Sequence, residues 1–316
     1  MDLCVMIEGQ EGVGWDQWQA LAAGCEANGI PALFRSDHYL SLGEGADQRQ
    51  VLDAWGTTCA LAAITSTVRL GTLVSPATFR HPSVLAKLAV TADHVSGGRI
   101  EVGLGAGWNE LEHAAFGFPF ADLGTRVSVF AEQLQIVRGL TDPAPFELAG
   151  EHYRVGPVQA LPKPVQTRLP IIVGGSAAPR SAAVAARFAD EYNTPFAPPE
   201  EIGPRRVAVA RAWSEAGRDP DSVRFSVMTG LLVGRDEDEL LDRAGRLAAK
   251  LGGGRSAREE LDAVPASWIS GTVDVVGERL RALADLGVDR VMLQLLLHDE
   301  IDQLELIGGE LARAVG

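Results

Sequence analysis

The chain alternates short apolar runs with longer stretches of helical periodicity, and this alternation constrains its fold more than any other feature. Eight such pairs follow one another along the 316 residues. Runs that are apolar almost throughout are typical of parallel strands covered by helices, and eight β-then-α units close a (β/α)8 TIM barrel. The predicted strands span residues 3–9, 30–38, 68–75, 99–107, 170–175, 191–195, 225–234 and 290–296.

A doubly wound open sheet is the alternative architecture for the same pattern. It is disfavoured because the first predicted strand is not followed by the GxGxxG of a dinucleotide-binding turn. Two irregular stretches interrupt the alternation, at about 141–169 after strand four and at about 250–272 after strand seven. The sequence therefore predicts a single TIM-barrel domain over residues 1–316, with irregular insertions after strands 4 and 7.

Charge and composition exclude several classes of partner. The net charge of −14 argues against nucleic acid or an anionic membrane surface. No apolar stretch reaches the roughly 18 residues that cross a bilayer, and the N-terminus lacks the basic segment of a signal peptide. We therefore expect a cytoplasmic protein.

The cysteines and histidines do not have the spacing of a metal site. Cys4, Cys25 and Cys59 lie far apart and form no CxxC or Cys/His pattern, so we expect reduced, mostly buried thiols. The sequence contains no HExxH motif. A catalytic metal is therefore not expected.

The strand ends are where a barrel carries its active site, and strand two ends in FRSDH at 34–38. The imidazole of His38 can give or take a proton near neutral pH. Asp37 precedes it, and since side chains alternate along a strand the two need not touch. The competing interpretation is a pair at the start of a loop that bonds to the backbone.

Strand five ends in VGGS at 173–176, directly before a predicted helix. Glycines allow a ligand to approach the backbone closely, and a helix N-terminus offers free N–H groups that suit a phosphate. Ser176 would add a hydroxyl donor. The same letters also fit an ordinary turn with a capping serine, so both interpretations stay open.

Strand four ends in GLGAGWNE at 103–110, whose GxGxG spacing differs from a dinucleotide fingerprint. At a barrel rim, the small residues at 105–107 would make room for a flat ring. Trp108 and Asn109 would then line the pocket, although packing at the rim is the commoner role of such a tryptophan.

Taken together, these segments resemble the luciferase-like monooxygenase superfamily, and within it the actinobacterial coenzyme F420-dependent oxidoreductases. The resemblance rests on FRSDH (34–38), the stretch from RLGTLVSPATF to HVSGGR (69–99), GLGAGWNELEHAAFG (103–117) and PIIVGGS (170–176). These motifs come in family order within about the first 195 residues, and the rest of the chain matches in layout alone.

The resemblance implies a (β/α)8 barrel with an 8-hydroxy-5-deazaflavin, coenzyme F420, lying across the rim. The loop after strand five would hold the cofactor's phosphate through backbone N–H groups of Gly174, Gly175 and Ser176. His38 would be the catalytic residue, an acid, base or polarising partner of hydride transfer. Asp37 would contact the ring system.

The resemblance also implies a cis peptide bond that does not precede proline, at the end of strand three. The matching bond is Leu73–Val74, and its bulge would press against the back of the ring. Thr72 beside it, together with Ala106 and Asn109 after strand four, completes the predicted cofactor contacts.

The implied function is a deazaflavin-dependent oxidoreductase that transfers a hydride between coenzyme F420 and a small organic substrate. Trp108 stands where the sugar-phosphate dehydrogenases of the group carry a glutamate, which favours an apolar or aromatic substrate. An FMN-dependent monooxygenase, which uses reduced flavin and oxygen, is the alternative within the superfamily. A non-catalytic cofactor-binding protein on the same barrel is the alternative of another class. The resemblance further suggests a homodimer.

Overall fold

The computed structural model describes residues 1–42 and 48–316, and eight of its strands form a closed parallel barrel. Each barrel strand pairs in parallel with the next, and the last pairs with the first through Asp2 and Arg290. The TIM-barrel prediction is therefore confirmed, and the open-sheet alternative is wrong. The barrel strands are β1 (Asp2–Ile7), β2 (Ala32–Arg35), β3 (Arg69–Thr72), β5 (Ile100–Gly105), β8 (Ile171–Gly174), β9 (Glu191–Pro195), β10 (Arg224–Gly234) and β12 (Arg290–Gln294).

The helices cover the outside of the barrel, and several of them begin at a residue whose side chain caps the first turn. The α3 helix, for example, starts after His81 with Pro82 in its first turn and ends at Gly97 in the left-handed region. The helices are α1 (Trp15–Ala27), α2 (Ala54–Ile64), α3 (Pro82–Ser96), α4 (Glu110–Phe116), α5 (Leu123–Thr141), α6 (Pro179–Phe188), α7 (Pro199–Glu215), α8 (Glu237–Leu251), α9 (Ala257–Asp262), α10 (Val273–Asp285), α11 (Gln303–Leu306) and α12 (Ala312–Val315). A π-helical turn, Ile307–Leu311, joins the last two, and a short 3-10 helix spans Pro220–Ser222.

The two predicted insertions are present, and both contain regular structure. The first holds an antiparallel hairpin of β6 (Phe146–Ala149) and β7 (Arg154–Val158), which packs on α3 and α5. The second holds α9 and strand β11 (Ile269–Thr272), which extends the sheet by pairing with the end of β10. A two-residue strand, β4 (Ser75–Pro76), pairs with β5 beside the barrel mouth.

The lumen of the barrel is filled at its N-terminal end by buried charges. The guanidinium of Arg290 lies 2.7 Å from Glu101 and 2.5 Å from Glu191, and Arg69 lies 2.5 Å from Glu101. An apolar layer that includes Phe34 lies above these charges, and Arg290 stacks on its ring at 5.2 Å. Because this end is packed, a ligand site has room at the opposite end, where the strands finish.

The cysteines are free thiols, as the sequence predicts: Cys4 and Cys25 are buried, and Cys59 is half-buried. Burial raises the pKa of all three thiols. Within residues 1–42 and 48–316, no helix has the length and apolar character needed to cross a membrane. The same residues contain no cluster of three or more His, Cys, Asp or Glu side chains that could bind a metal ion.

Candidate active site

A cleft of about 710 Å³ opens at the C-terminal ends of the barrel strands, and we call it the rim cleft. It is bounded by the ends of β1, β2 and β8, by the bulge after β3 and by the loop after β5. Most of the predicted site residues lie together along its wall. They are His38, Leu73, Val74, Ala106, Asn109, Gly174, Gly175 and Ser176.

His38 is held in the rim cleft by a carboxylate that the sequence did not indicate. Its Nδ1 lies 2.8 Å from Oε2 of Glu112, and the Glu112 side chain is completely buried. The other oxygen of Glu112 accepts hydrogen bonds from the backbone N–H groups of Tyr39 and Leu40. Glu112 therefore ties α4 to the loop after β2 and fixes the plane of the imidazole.

The His38–Glu112 contact shifts the proton affinity of both groups. Burial alone lowers the pKa of His38, but the hydrogen bond and charge of Glu112, with smaller contributions from Glu8 and Asp37, raise it above its ordinary value. Burial alone raises the pKa of Glu112, but His38 and the two backbone N–H donors lower it below its ordinary value. The pair is therefore stabilised as an imidazolium beside a carboxylate.

Asp37 and Thr72 lie beneath the rim cleft and do not line it. Asp37 is buried, and its Oδ2 accepts hydrogen bonds from Ser75 at 2.5 Å and from Arg80 at 2.6 Å. Its Oδ1 is buried without a hydrogen-bond partner among the described residues. Thr72 is also buried, and its Oγ1 donates to the carbonyl of Gly103 at 3.1 Å. Both residues hold the ends of β2 and β3 in place, and the ring contact predicted for Asp37 would require its unpartnered oxygen.

The bulge after β3 forms one wall of the rim cleft. The Leu73–Val74 peptide bond is cis, which confirms that prediction from the sequence. A Cβ added to Gly105 would lie 2.7 Å from Val74 Cγ2, and one added to Gly174 would lie 3.2 Å from Val74 Cγ1. These two glycines therefore make room for Val74. Residues 105–107 also line the cleft, and that they admit a flat ring stays a prediction.

The loop after β8 offers fewer free N–H groups than the sequence predicted. The N–H of Gly175 donates to the carbonyl of Asn193 at 3.0 Å, and the N–H of Ala177 donates to the hydroxyl of Tyr192 at 3.0 Å. Among the described residues, the N–H of Ser176 has no such partner, and Ser176 is exposed at the cleft wall. The α6 helix follows without a side-chain cap, so its first turn also presents N–H groups.

Asn109 lines the rim cleft and also caps α4. Its side chain accepts the backbone N–H of Glu112 at 3.3 Å, which places Glu112 on the first turn of the helix. Next along the helix, His113 has both ring nitrogens occupied, one by the Asn109 carbonyl at 2.6 Å and one by Thr78 Oγ1 at 2.6 Å. His113 is therefore a structural residue of this wall.

Two carboxylates of the site, Glu8 and Glu112, were not singled out from the sequence. Glu8 directly follows β1 and receives amide donors on both oxygens, from Gln10 at 2.7 Å and from Gln294 at 2.5 Å. Its position at a strand end was a signal that could have found it. The sequence signal for Glu112 was weaker: it lies three residues after Asn109, and asparagine is a residue type that often begins a helix.

The mouth of the rim cleft is apolar. Trp108 is 63% exposed, and its ring meets the imidazole of His38 edge to face at 5.8 Å between centroids. Leu123, at the start of α5, also lines the cleft and is 63% exposed. Exposed large apolar side chains beside a cleft are typical of a surface that meets an organic ligand.

A family model described as "Luciferase-like monooxygenase" matches residues 4–290. The chain therefore belongs to the luciferase-like monooxygenase family, and the family resemblance of its motifs is confirmed. Membership of this family indicates that the protein is an enzyme, an oxidoreductase or a monooxygenase.

Two similar proteins from Mycobacterium tuberculosis are named without an activity. An uncharacterized protein of Mycobacterium tuberculosis is 34% identical over 221 residues, which cover 64% of this chain and 77% of the relative. A second uncharacterized protein of that organism is 33% identical over 181 residues, which cover 57% of this chain and 53% of the relative.

Several solved structures share the fold. A coenzyme F420-dependent tetrahydromethanopterin reductase from Methanopyrus kandleri aligns with a TM-score of 0.81 at 20% identity, over 100% of both chains. The monooxygenase RslO1 from Streptomyces bottropensis aligns with a TM-score of 0.80 at 23% identity, also over 100% of both. An F420-dependent secondary alcohol dehydrogenase aligns with a TM-score of 0.81 at 18% identity over 100% of both. At these identities the similarity shows the fold alone.

Proposed function

We propose that the protein is a coenzyme F420-dependent oxidoreductase that transfers a hydride between the deazaflavin and a small organic substrate. The observation that carries the proposal is the placement of His38, the Val74 bulge and the Gly174–Ser176 loop around one cleft. A planar ring with a phosphate tail needs a flat apolar support, a polar partner at one edge and an anion site within reach.

The residues present fit such a cofactor. Val74, backed by the glycines of β5 and β8, offers an apolar surface for the ring. The N–H of Ser176 and the first turn of α6 would hold a phosphate, because both present N–H groups to an anion.

The bound deazaflavin would supply the hydride chemistry, and the protein would supply orientation and proton transfer. His38 presents its remaining ring nitrogen, Nε2, on the cleft side, since Glu112 occupies Nδ1. An imidazolium there would donate its proton to the oxygen or nitrogen of an enone, imine or aldehyde as negative charge develops on that atom, and in the reverse direction a neutral imidazole would accept the hydroxyl proton of an alcohol. The apolar mouth at Trp108 and Leu123 favours a neutral substrate with apolar or aromatic character.

An FMN-dependent monooxygenase is the second candidate. The same bulge and the Gly174–Ser176 loop would hold the isoalloxazine and phosphate of FMN, and several structural neighbours are named as monooxygenases. The feature that favours the deazaflavin is the titratable pair of His38 and Glu112 at the ring edge. Hydride transfer to a carbonyl requires such an acid, whereas oxygen activation by reduced flavin is the chemistry of the flavin itself.

The test is a titration of the purified apoprotein with coenzyme F420 and, separately, with FMN. Tryptophan fluorescence serves as the signal, because Trp108 lies at the cleft beside His38. We expect saturable quenching by coenzyme F420, and weaker binding of the same deazaflavin without its phosphate tail. Tight binding of FMN without binding of coenzyme F420 would reverse the ranking of the two candidates.

A further inference from the structure

We infer that Glu112 is a positioning residue that fixes the tautomer of His38, so that the proton given or taken by the imidazole is the one on Nε2, inside the rim cleft. The inference concerns the protein without a ligand. It rests on the proposed function only for its chemical consequence.

The hydrogen-bond partners of Glu112 determine its protonation state. Its carboxylate accepts the backbone N–H groups of Tyr39 and Leu40 on one oxygen and faces His38 Nδ1 at 2.8 Å with the other. A carboxylate surrounded by donors is favoured in the ionised form, and an ionised carboxylate can only accept hydrogen bonds. The hydrogen of the His38–Glu112 contact must therefore sit on Nδ1.

A hydrogen on Nδ1 of His38 determines what its other ring nitrogen, Nε2, can do. A neutral imidazole carries one hydrogen, so a neutral His38 with its hydrogen on Nδ1 has a bare lone pair on Nε2. Protonation then adds the second hydrogen at Nε2, on the cleft side. Both the acid and the base form of His38 thus exchange their proton at the nitrogen that a ligand can reach, and the ring does not have to turn.

The charges around His38 support this arrangement. The carboxyl groups of Glu112 on α4, Glu8 directly after β1 and Asp37 beside His38 all act to raise the pKa of His38, and Arg80 pairs with Asp37 at 2.6 Å. His113, next to Glu112, has both nitrogens occupied by other groups. These carboxylates favour the imidazolium form of His38. Arg80 opposes it little, because its charge is paired with Asp37.

The decisive measurement is the long-range proton–nitrogen correlation spectrum of the histidine side chains in the apoprotein, recorded across a pH series. The signal of His38 is assigned by its loss in His38→Gln. Above the pKa of His38, we expect the spectrum of the Nδ1–H tautomer. The spectrum of the commoner Nε2–H tautomer in the wild-type protein would overturn the inference, whatever any variant does.

Glu112→Gln supplies the second readout. The amide oxygen can keep the N–H groups of Tyr39 and Leu40, which turns the NH2 group toward Nδ1 of His38. Neutral His38 should then switch to the Nε2–H tautomer, and its pKa should fall by about 1–3 pH units because the ion pair is lost. An unchanged tautomer and pKa in a folded Glu112→Gln protein would contradict the inference.

Glu110→Gln is the matched control. Glu110 lies in the same first turn of α4 and is exposed. The substitution removes one negative charge from the helix without changing a contact of His38, so the tautomer and pKa of His38 should stay as in the wild type. If Glu110→Gln produces the same shift as Glu112→Gln, then general charge, and not the contact, is responsible.

The outcomes separate this inference from the proposed function. The spectra are recorded without cofactor, so they stand even if the apoprotein binds FMN in place of coenzyme F420. Conversely, tight binding of coenzyme F420 together with an Nε2–H tautomer in the wild type would support the proposed function and reject the role of Glu112.

Discussion

The chemistry of His38 depends on a partner 74 positions away in the sequence. Asp37, its neighbour in the chain, is turned to the opposite side and pairs with Arg80 at 2.6 Å. Adjacent residues at a strand end thus serve two purposes, since one faces the cleft and the other anchors the loop. The separation follows from the alternation of side chains along an extended backbone.

His38→Ala tests whether the imidazole takes part in turnover. We expect a loss of kcat of about 10²–10⁴-fold, the usual contribution of a general acid, because the proton donor is removed. Binding of coenzyme F420 should persist, since the Gly174–Ser176 loop and the Val74 bulge are untouched. The measurement is deazaflavin absorbance with whichever enone, imine, alcohol or aldehyde the wild type turns over.

Leu111→Ala is the control for His38→Ala, because Leu111 is 80% exposed on α4 and does not line the rim cleft. Its activity should match that of the wild type. An unchanged rate in His38→Ala, with cofactor still bound, would favour the non-catalytic cofactor-binding protein.

At the scale of single residues, the sequence located His38 and the Gly174–Ser176 loop because strand ends can be identified locally. It did not locate Glu112 as a partner, since nothing near position 38 indicates which helix will approach it. The hydrogen bond from the Gly175 N–H to the Asn193 carbonyl could not be predicted either, because it depends on the register of two strands.

Among the elements, β5 is shaped by the strand beside it. A Cβ added to Gly103 would lie 1.9 Å from the carbonyl oxygen of Thr72. This atom belongs to the backbone of β3 and cannot move without displacing the strand. The glycine therefore sets how closely β3 and β5 approach just below the bulge.

Gly103→Ala should destabilise the protein by about 1–3 kcal/mol or more, because the added methyl group overpacks a backbone contact. Gly156→Ala is the matched control, since Gly156 also lies in a strand, β7, and a Cβ there meets nothing within 4 Å. Its effect should stay within about 0.5 kcal/mol. Urea unfolding of both variants gives the comparison, and equal effects would show that the contact with Thr72 is relaxed at little cost.

The sequence predicted the barrel strands well because most of them are short apolar runs with helical periodicity on either side. It missed the β6–β7 hairpin, whose residues are half-buried or exposed and therefore lack a continuous apolar signal. The α9–β11 segment was missed for a related reason: it is held by contact with α8 and β10, which local periodicity does not report.

Across the whole molecule, the two ends of the barrel have different tasks. The N-terminal end holds Arg290 between Glu101 and Glu191, and burial raises the pKa of Glu191 while the positive charge of Arg290 lowers it. The number of strands could be counted from the sequence, and it implied closure. The identity of the groups that fill the lumen could not be predicted, since they come from β5, β9 and β12.

Arg290→Met should destabilise the protein by about 3–5 kcal/mol, because buried Glu191 loses its counterion and buried Glu101 keeps only Arg69. The loss should be larger at about pH 8 than at about pH 5. Burial raises the pKa of Glu191 in the folded protein. A carboxyl group of this kind destabilises the fold as the pH rises above the pKa that it has in the unfolded chain, and without Arg290 this effect should be larger. Urea unfolding at the two pH values measures this difference.

Arg224→Met is the control for Arg290→Met. Arg224 also begins a barrel strand, β10, but it is exposed and lies 3.8 Å from Asp2. Its loss should change the free energy of unfolding by less than about 1 kcal/mol at either pH. A similar small effect for Arg290→Met would mean that water reaches the two carboxylates.

Strand β12 begins at Arg290 and ends at Gln294, which donates to Glu8 in the rim cleft. The four residue steps between them span roughly 13 Å along a strand. That distance separates the determinants of foldability from those of ligand choice. A mutant library restricted to the mouth, at Trp108, Leu123 and their neighbours, should therefore yield mostly folded enzymes with altered substrate range.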